Sequence, residues 1–371
     1  MVSVVSSSSV VESLGYSDVW EVASGVDALY MSGRVEIPVA VVERLQLARE
    51  VAEEAEGPVG IEFGGVDFEI QPRGLRRHKY RLEHEFGIVA FTTSEKLPAV
   101  LIQPRAEFLH RVGPSGVVQF YRNVIERETG TLELAASRLD LYIDVQGWDV
   151  SVDDRHLFVR RAKAVAGHEA SDDFNGLAFG ARATNTVYSR IYDKTIETQK
   201  KGGHYVEQTW GPAYDPSLHV KRVEFQMGRK GLRHYGIDTP EEAIRSARGL
   251  WRNLTVEWLS FRVATADSNR SRWPIAPEWQ VVQEASMAHG AIGLSRMVND
   301  HVMADLKALR PGLNGYVTSV AAIKGGRSVS DAMALVAEEI QRYEVDTGRR
   351  FETQVAEKLG KRSFTIPEIL Q

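Results

Sequence analysis

The sequence predicts an α+β fold, with an antiparallel sheet core over residues 25–238 and a helical C-terminal domain over 239–371. Three observations predict it. Leu139–Val145, Thr186–Lys194 and Val220–Gln226 alternate apolar and polar side chains with a period of two, the pattern of half-buried antiparallel strands. From Pro240 onward the apolar spacing turns helical. The 371 residues are 43% hydrophobic and 26% charged, enough for a full core and too apolar for a disordered chain.

The elements follow in order. Residues 1–24 hold a Ser- and Val-rich run and read as a loose lead-in. Val26–Met31 (VDALYM) is the first strand. Over Pro38–Glu56, Val41, Leu45, Leu47, Val51 and Ala55 recur at helical spacing until Gly57-Pro58 ends the run. Strands are expected at Val59–Phe63, Val66–Ile70, Tyr80–Phe86, Ile88–Thr92 and Ala99–Ile102, punctuated by Gly, Pro and charged residues as in hairpins. Ala106–Val112 and Val117–Glu128 read as helix. Thr239-Pro240-Glu241-Glu242 supplies an N-cap, a proline at the first helical position and acids in the first turn, and its helix is expected to reach about Arg262. Trp251 and Trp258 fall on one face of that helix as packing residues. Later helices are expected at Glu278–His289, Ser295–Ala308, Tyr316–Ile323 and Ser328–Leu359, the last broken near Asp346–Gly348.

Composition excludes whole classes of chemistry. Zero cysteines rule out disulfides, thiol catalysis, Cys-based zinc sites and iron–sulfur clusters. No run of about 18 apolar residues is present, so no membrane span is expected. The N-terminus lacks the basic-then-apolar pattern of a secretory signal, so the expected location is the cytoplasm. The ten histidines show no ligand spacing, and none is assigned to a metal. The net charge of −5 argues against a polyanion ligand, but its distribution does not. Residues 1–60 carry ten acids against three bases, whereas 182–233 hold ten Lys and Arg against five Asp and Glu. A local basic field steers a polyanion whatever the total charge.

Side chains two apart on a strand share a face, roughly 6.5–7 Å apart. One strand therefore presents Arg138, Asp140, Tyr142 and Asp144, another Tyr188, Arg190, Tyr192 and Lys194, and the third Arg222 and Glu224. If these strands are neighbours, one surface gathers carboxylates, phenols and cations. Carboxylate oxygens suit a hard divalent cation such as Mg2+ or Mn2+, which polarises a phosphoryl oxygen. A phenol, a weak nucleophile at its free pKa of about 10, is activated by cations that favour the phenolate. Such a set suits transesterification of a phosphodiester. Cross-strand salt pairs explain the same residues with no chemistry at all, so patterning leaves both readings open.

The wording of these segments adds to that reading. RLDLYIDV (138–145), FGARATNTVYSRIYDKTIE (179–197) and VKRVEFQM (220–227) resemble the Rep_trans group, the rolling-circle replication initiators of plasmids and phages, together with related relaxases of conjugative elements. The shared pattern is an R-x-D-x-x-x-D strand, a Y/F-x-G-x-R segment leading to R-x-Y-D/E/N-K, and an R-x-E strand, and GVDALYMSG (25–33) resembles the family's first strand. The resemblance covers about residues 25–235. It implies a sheet of variant relaxase type and a metal-dependent endonuclease that nicks and joins origin DNA. A tyrosine would stay joined to the 5′ end and free a 3′-hydroxyl.

By position the resemblance implies Tyr192 as nucleophile, with Tyr188 on the same face as the alternative. Asp140, Asp144 and Glu224 become the carboxylates for Mg2+ or Mn2+, with Asp27 and Glu197 in reserve. Arg190, Lys194 and Arg222 would contact the scissile or flanking phosphates, and Arg138 and Arg182 would add DNA contacts. Further basic clusters at Arg76, Arg77 and Lys79, at Arg160, Arg161 and Lys163, and at Arg229 and Lys230 are read as phosphate contacts. The expected partners are origin DNA, single-stranded or supercoiled, with a host helicase and a second copy of the chain as further ones. Three alternatives stand beside this reading: a conjugative-element relaxase with the same chemistry, a non-catalytic sequence-specific DNA-binding regulator of replication, and a structural interaction protein that uses its long C-terminal helices and has no DNA affinity. The chain departs from the two-histidine relaxases in having no His-hydrophobe-His pair, which suits a carboxylate site, and it reads Gly180-Ala181-Arg182 where Gly-Ser-Arg is more usual.

Overall fold

A computed structural model describes residues 18–170, 173–184, 186–201, 204–210, 212–287 and 301–360. Its strands are β1 (Trp20–Arg34), β2 (Val59–Phe63), β3 (Val66–Gln71), β4 (Tyr80–His84), β5 (Gly87–Phe91), β6 (Val100–Pro104), β7 (Glu133–Gln146), β8 (Phe158–Arg160), β9 (Val165–Ala170), β10 (Asp173–Phe179), β11 (Val187–Asp193), β12 (Lys221–Gly228) and β13 (Leu259–Phe261). Eleven of them form one antiparallel sheet in the order β2-β3-β4-β5-β6-β1-β7-β12-β11-β10-β9, and β8 pairs with β13 apart from it. The fold is α+β, as the alternation predicts.

The two longest strands lie side by side at the middle of the sheet. β1 is more than twice the length expected from Val26–Met31, because its Gly- and Ser-containing first half pairs all the way along β7, from Trp20 opposite Gln146. Pairing overrides the weak strand propensity of those residues. Between Val26 and Ala28 the register slips, and Asp27 is the extra residue of a β-bulge. β9 and β10 were not legible from the sequence, where glycines and charges blur the alternation.

One face of the sheet holds Leu139, Leu141, Ile143, Val145, Ile191, Val223, Phe225 and Met227, all fully buried. Each such side chain contributes about 1.5–3 kcal/mol on burial. The helix Pro240–Asn253 packs here, with the Trp251 ring edge-on to Phe225 at 5.4 Å and Trp258 at 5.9 Å from the same ring. Its start is the expected capping box: the Thr239 hydroxyl accepts from the Glu242 N–H, and the Glu242 carboxylate accepts from the Thr239 N–H. It stops at Asn253 rather than near Arg262. A wide turn over Leu254–Trp258 leads into β13 instead.

The expected boundary after residue 238 is therefore not where the contacts part. The chain divides into Met1–Leu294 and Ser295–Gln371, because Ala243, Ile244, Ala247, Leu250, Trp251 and Trp279 complete the sheet's own core. The expected helices 106–112 and 117–128 are both present within Ala106–Thr129, separated at non-helical Gly113 (φ 76°) before Pro114. In the second unit the described helices are His301–Lys324, Val329–Thr347 and Phe351–Gly360, and left-handed Gly348 makes the expected break. Residues 1–17, 288–289 and 295–300 of the expected elements lie outside the described residues. Among the described residues no helix is long and apolar enough to cross a membrane.

Candidate active site

β7, β12 and β11 are consecutive in the sheet, so the condition set by the sequence is met. Register turns their polar faces into rows. Tyr192 lies opposite Arg222 and Arg222 opposite Asp144; Arg190 lies opposite Glu224 and Glu224 opposite Tyr142; Tyr188 lies opposite Gln226 and Gln226 opposite Asp140. The bulge on β1 adds Asp27, and the helix Ala106–Thr129 adds His110, 3.6 Å from Asp27 and stacked on Tyr142 at 5.5 Å.

This face is buried rather than solvated. Asp140, Asp144, Arg222 and Glu224 are each no more than 2% exposed, and Tyr192 is 8% exposed. Charges held out of water need partners, and each has one. Arg222 grips Asp144 with two parallel bonds, from Nε to Oδ1 at 2.6 Å and from Nη2 to Oδ2 at 2.7 Å, and its Nη1 reaches Asp27 at 2.6 Å. Its guanidinium lies 4.0 Å from the Tyr142 ring centre, and Trp210 Nε1 donates to Asp144 at 2.8 Å. Arg138 holds both oxygens of Asp140 and lies over the Tyr30 ring at 4.9 Å.

The tyrosine end is built around Glu224. Arg190 Nη2 donates to Glu224 Oε1 at 2.7 Å and to Oε2 at 2.9 Å, while the Tyr192 hydroxyl donates to Oε2 at 3.0 Å. The Arg190 guanidinium also covers the Tyr192 ring at 4.7 Å. Arg190 Nε is buried with no acceptor among the described residues. Burial, and then the field of Glu224, push the Tyr192 phenol well above its usual range. Burial and the carboxylates of Glu224 and Asp27 outweigh Arg138 and push Asp140 up to about 7. Asp27 goes the other way: burial favours its neutral form, but Arg222 and His110 together hold it well below the usual carboxylate range.

A cavity of about 540 Å3 opens beside this group, lined among others by Tyr188, Arg190, Tyr192, Arg182, Glu197 and Lys200. Neither a family model nor a curated protein matches the sequence. Among solved structures, the rolling-circle replication initiator protein of Geobacillus stearothermophilus aligns with 74% of this chain and 100% of its own length, at 15% identity and a TM-score of 0.42.

The structure brings together most of the residues singled out by sequence, with corrections. Lys194 is not on the strand face but opens the helix Lys194–Lys201, where its Nζ donates to Glu197 at 2.6 Å and stands 5.9 Å from the Tyr192 ring. Arg222 is fully buried between Asp144 and Asp27, so it organises the site instead of meeting a ligand phosphate. Arg182 is exposed and stacks on Tyr188 at 4.8 Å at the cavity wall. Arg76, Arg77 and Lys79 lie between β3 and β4, several strands from the tyrosines. Arg229 is spent on Asp238 at 2.6 Å and on the Ala136 carbonyl at 3.0 Å, while Lys230 follows it on the short helix Arg229–Arg233. His110 and Trp210 were missed. A lone His and a lone Trp far along the chain carry no spacing signal, and only the packing of their segments brings them to Asp27 and Asp144.

Among the described residues, no three His, Asp or Glu side chains are arranged around one point as a metal site. Asp144 is fully committed to Arg222 and Trp210.

Proposed function

We propose that this chain nicks and rejoins DNA by tyrosine transesterification, as a rolling-circle replication initiator does, with Tyr192 as the nucleophile. One observation carries the reading: the Tyr192 hydroxyl donates to Glu224, a carboxylate also held by Arg190, at the edge of an open cavity. Tyr188 lines the same cavity but has Gln226, not a carboxylate, as its cross-strand neighbour.

Tyr192 Oη attacks the phosphorus of a strand in the cavity as its proton passes to Glu224 Oε2. The P–O3′ bond breaks, the 3′ oxygen leaves and takes up a proton from water, and the 5′ phosphate stays on Tyr192. Glu224 then returns its proton to solvent. The raised phenol pKa means that free phenolate does not accumulate, so proton transfer and attack go together. Arg190, which lines the cavity and holds Glu224, would stabilise the growing charge on a phosphoryl oxygen bound there. Arg182 and Lys200 supply positive charge at the cavity wall for the flanking backbone. Asp27, Asp140 and Glu224 are the residues that would hold Mg2+ or Mn2+, which when bound would polarise the phosphoryl group. DNA of a replication origin is the proposed partner, with a helicase and a second copy of the chain as further ones, and the cytoplasm is the proposed location.

Incubation with supercoiled or single-stranded origin DNA and Mg2+ is expected to leave protein covalently attached to a 5′ end, and Tyr192→Phe is expected to abolish the adduct. Loss of the adduct in Tyr188→Phe instead would move the nucleophile. Salt-dependent binding with no adduct at any metal concentration would make the chain a non-catalytic DNA-binding regulator.

A further inference from the structure

Away from the tyrosine cavity, two guanidiniums stand together with no described carboxylate between them. β8 ends at Arg160, and the loop after β13 brings Arg270 back to it. Both donate to a single oxygen, the Phe158 carbonyl, Arg160 Nη1 at 3.4 Å and Arg270 Nη2 at 3.1 Å. The nearby acids are taken by other partners, Glu257 by Arg161 at 2.8 Å and Asp267 by Arg272 at 3.5 Å. The Nε atoms of Arg160 and Arg270 are both buried with no acceptor among the described residues.

The loop that makes this pair is tied down. Arg262 Nη1 donates to the Ser271 carbonyl at 3.1 Å and to the Trp273 carbonyl at 2.7 Å. Asn269 Oδ1 accepts from the Ser271 N–H at 3.1 Å and from its hydroxyl at 2.6 Å, and Trp273 Nε1 donates to the Asp267 carbonyl at 2.7 Å. Arg270 lies over the Trp273 ring at 5.4 Å. Burial and then the neighbouring Arg270 charge lower the pKa of Arg160, the direction expected of like charges pressed together. A phosphate at the Nη groups that the Phe158 carbonyl leaves unused, Nη2 of Arg160 and Nη1 of Arg270, would offset the repulsion between the two guanidiniums.

We propose that Arg160 and Arg270 form a second phosphate site, which takes a backbone phosphate of a bound DNA strand outside the tyrosine cavity. The choice of DNA as ligand rests on the function proposed above. In sequence, Arg160 is followed by β9 and β10, and β10 leads to the Gly180–Arg182 wall of that cavity.

The test measures binding of a fluorescein-labelled single-stranded oligonucleotide to the full chain by anisotropy over a range of salt. The Arg160→Gln/Arg270→Gln double variant is expected to bind about tenfold more weakly, with a salt slope shallower by about 0.7 for the lost phosphate. Its melting temperature should hold or rise, since a like-charge contact is removed. Arg272→Gln, which loses a charge already paired to Asp267, should bind within about twofold of wild type. Affinity of the double variant within twofold of wild type overturns the proposal. If inorganic phosphate stabilises wild type but not the double variant while oligonucleotide affinity is unchanged, a free anion is the ligand and the strand assignment is overturned. The two readings fail separately. A binding loss without any Tyr192 adduct in wild type supports this site and sinks the nicking chemistry, whereas an adduct with unchanged affinity in the double variant does the reverse.

Discussion

Asp140 illustrates how the site stores charge. Its carboxyl sits in a buried row with Glu224 and Asp27 nearby and only Arg138 to offset them, and it is pushed up to about 7. A carboxyl whose folded pKa is raised contributes stability below its unfolded pKa of about 4, and that contribution is lost as pH rises through about 7. Wild-type melting temperature should therefore fall between pH 5 and pH 8 by more than that of Asp140→Asn. Mg2+ added at pH 8 should restore part of the loss in wild type and less in the variant. Parallel melting curves for the two proteins across that range would remove Asp140 from this account. At this scale alternation alone put Asp140 and Asp144 on one face of their strand, Arg190 and Tyr192 on one face of theirs, and Arg222 and Glu224 on one face of a third. It did not reveal that these faces are covered, because a period of two states which side chains point together and not what packs over them.

At the scale of elements, the tyrosine strand depends on how closely β10 can approach. Gly176 lies opposite Tyr192, and a Cβ there would stand 2.9 Å from the Ile191 carbonyl oxygen and 3.2 Å from Tyr192 Cβ. A glycine is required where backbone comes this near. Gly176→Ala is expected to cost about 1–3 kcal/mol in denaturant unfolding and to slow adduct formation further than the stability loss explains, because it displaces Tyr192 from Glu224. An adduct rate equal to wild type at full folding would show that the strand spacing does not position the phenol. The capping box at Thr239 and the break at Gly348 were legible because caps are local chemistry. The true lengths of β1 and of the helix from Pro240 were not, since pairing and packing with distant strands set their ends.

Across the whole molecule, the described contacts place every residue of the proposed site in the unit Met1–Leu294. A chain ending at Leu294 is expected to melt cooperatively and to retain Tyr192 adduct formation on single-stranded origin DNA, with at most a few-fold change in rate. Loss of folding or of the adduct in that fragment would assign the C-terminal helices a part in the site. Those helices expose Leu313, Tyr316, Ile323, Met333, Ile340 and Tyr343, so among the described residues they bury little apolar surface of their own.

The sequence by itself determined the fold class, the helix caps and the identity of the three strands whose polar faces meet, because hydrophobic period and capping chemistry are written locally. Only the tertiary structure decided that those strands are neighbours, that Arg222 is locked between Asp144 and Asp27, and that His110 and Arg270 come to face residues far away in the chain. Such contacts arise from strand order and loop return, which no local pattern encodes.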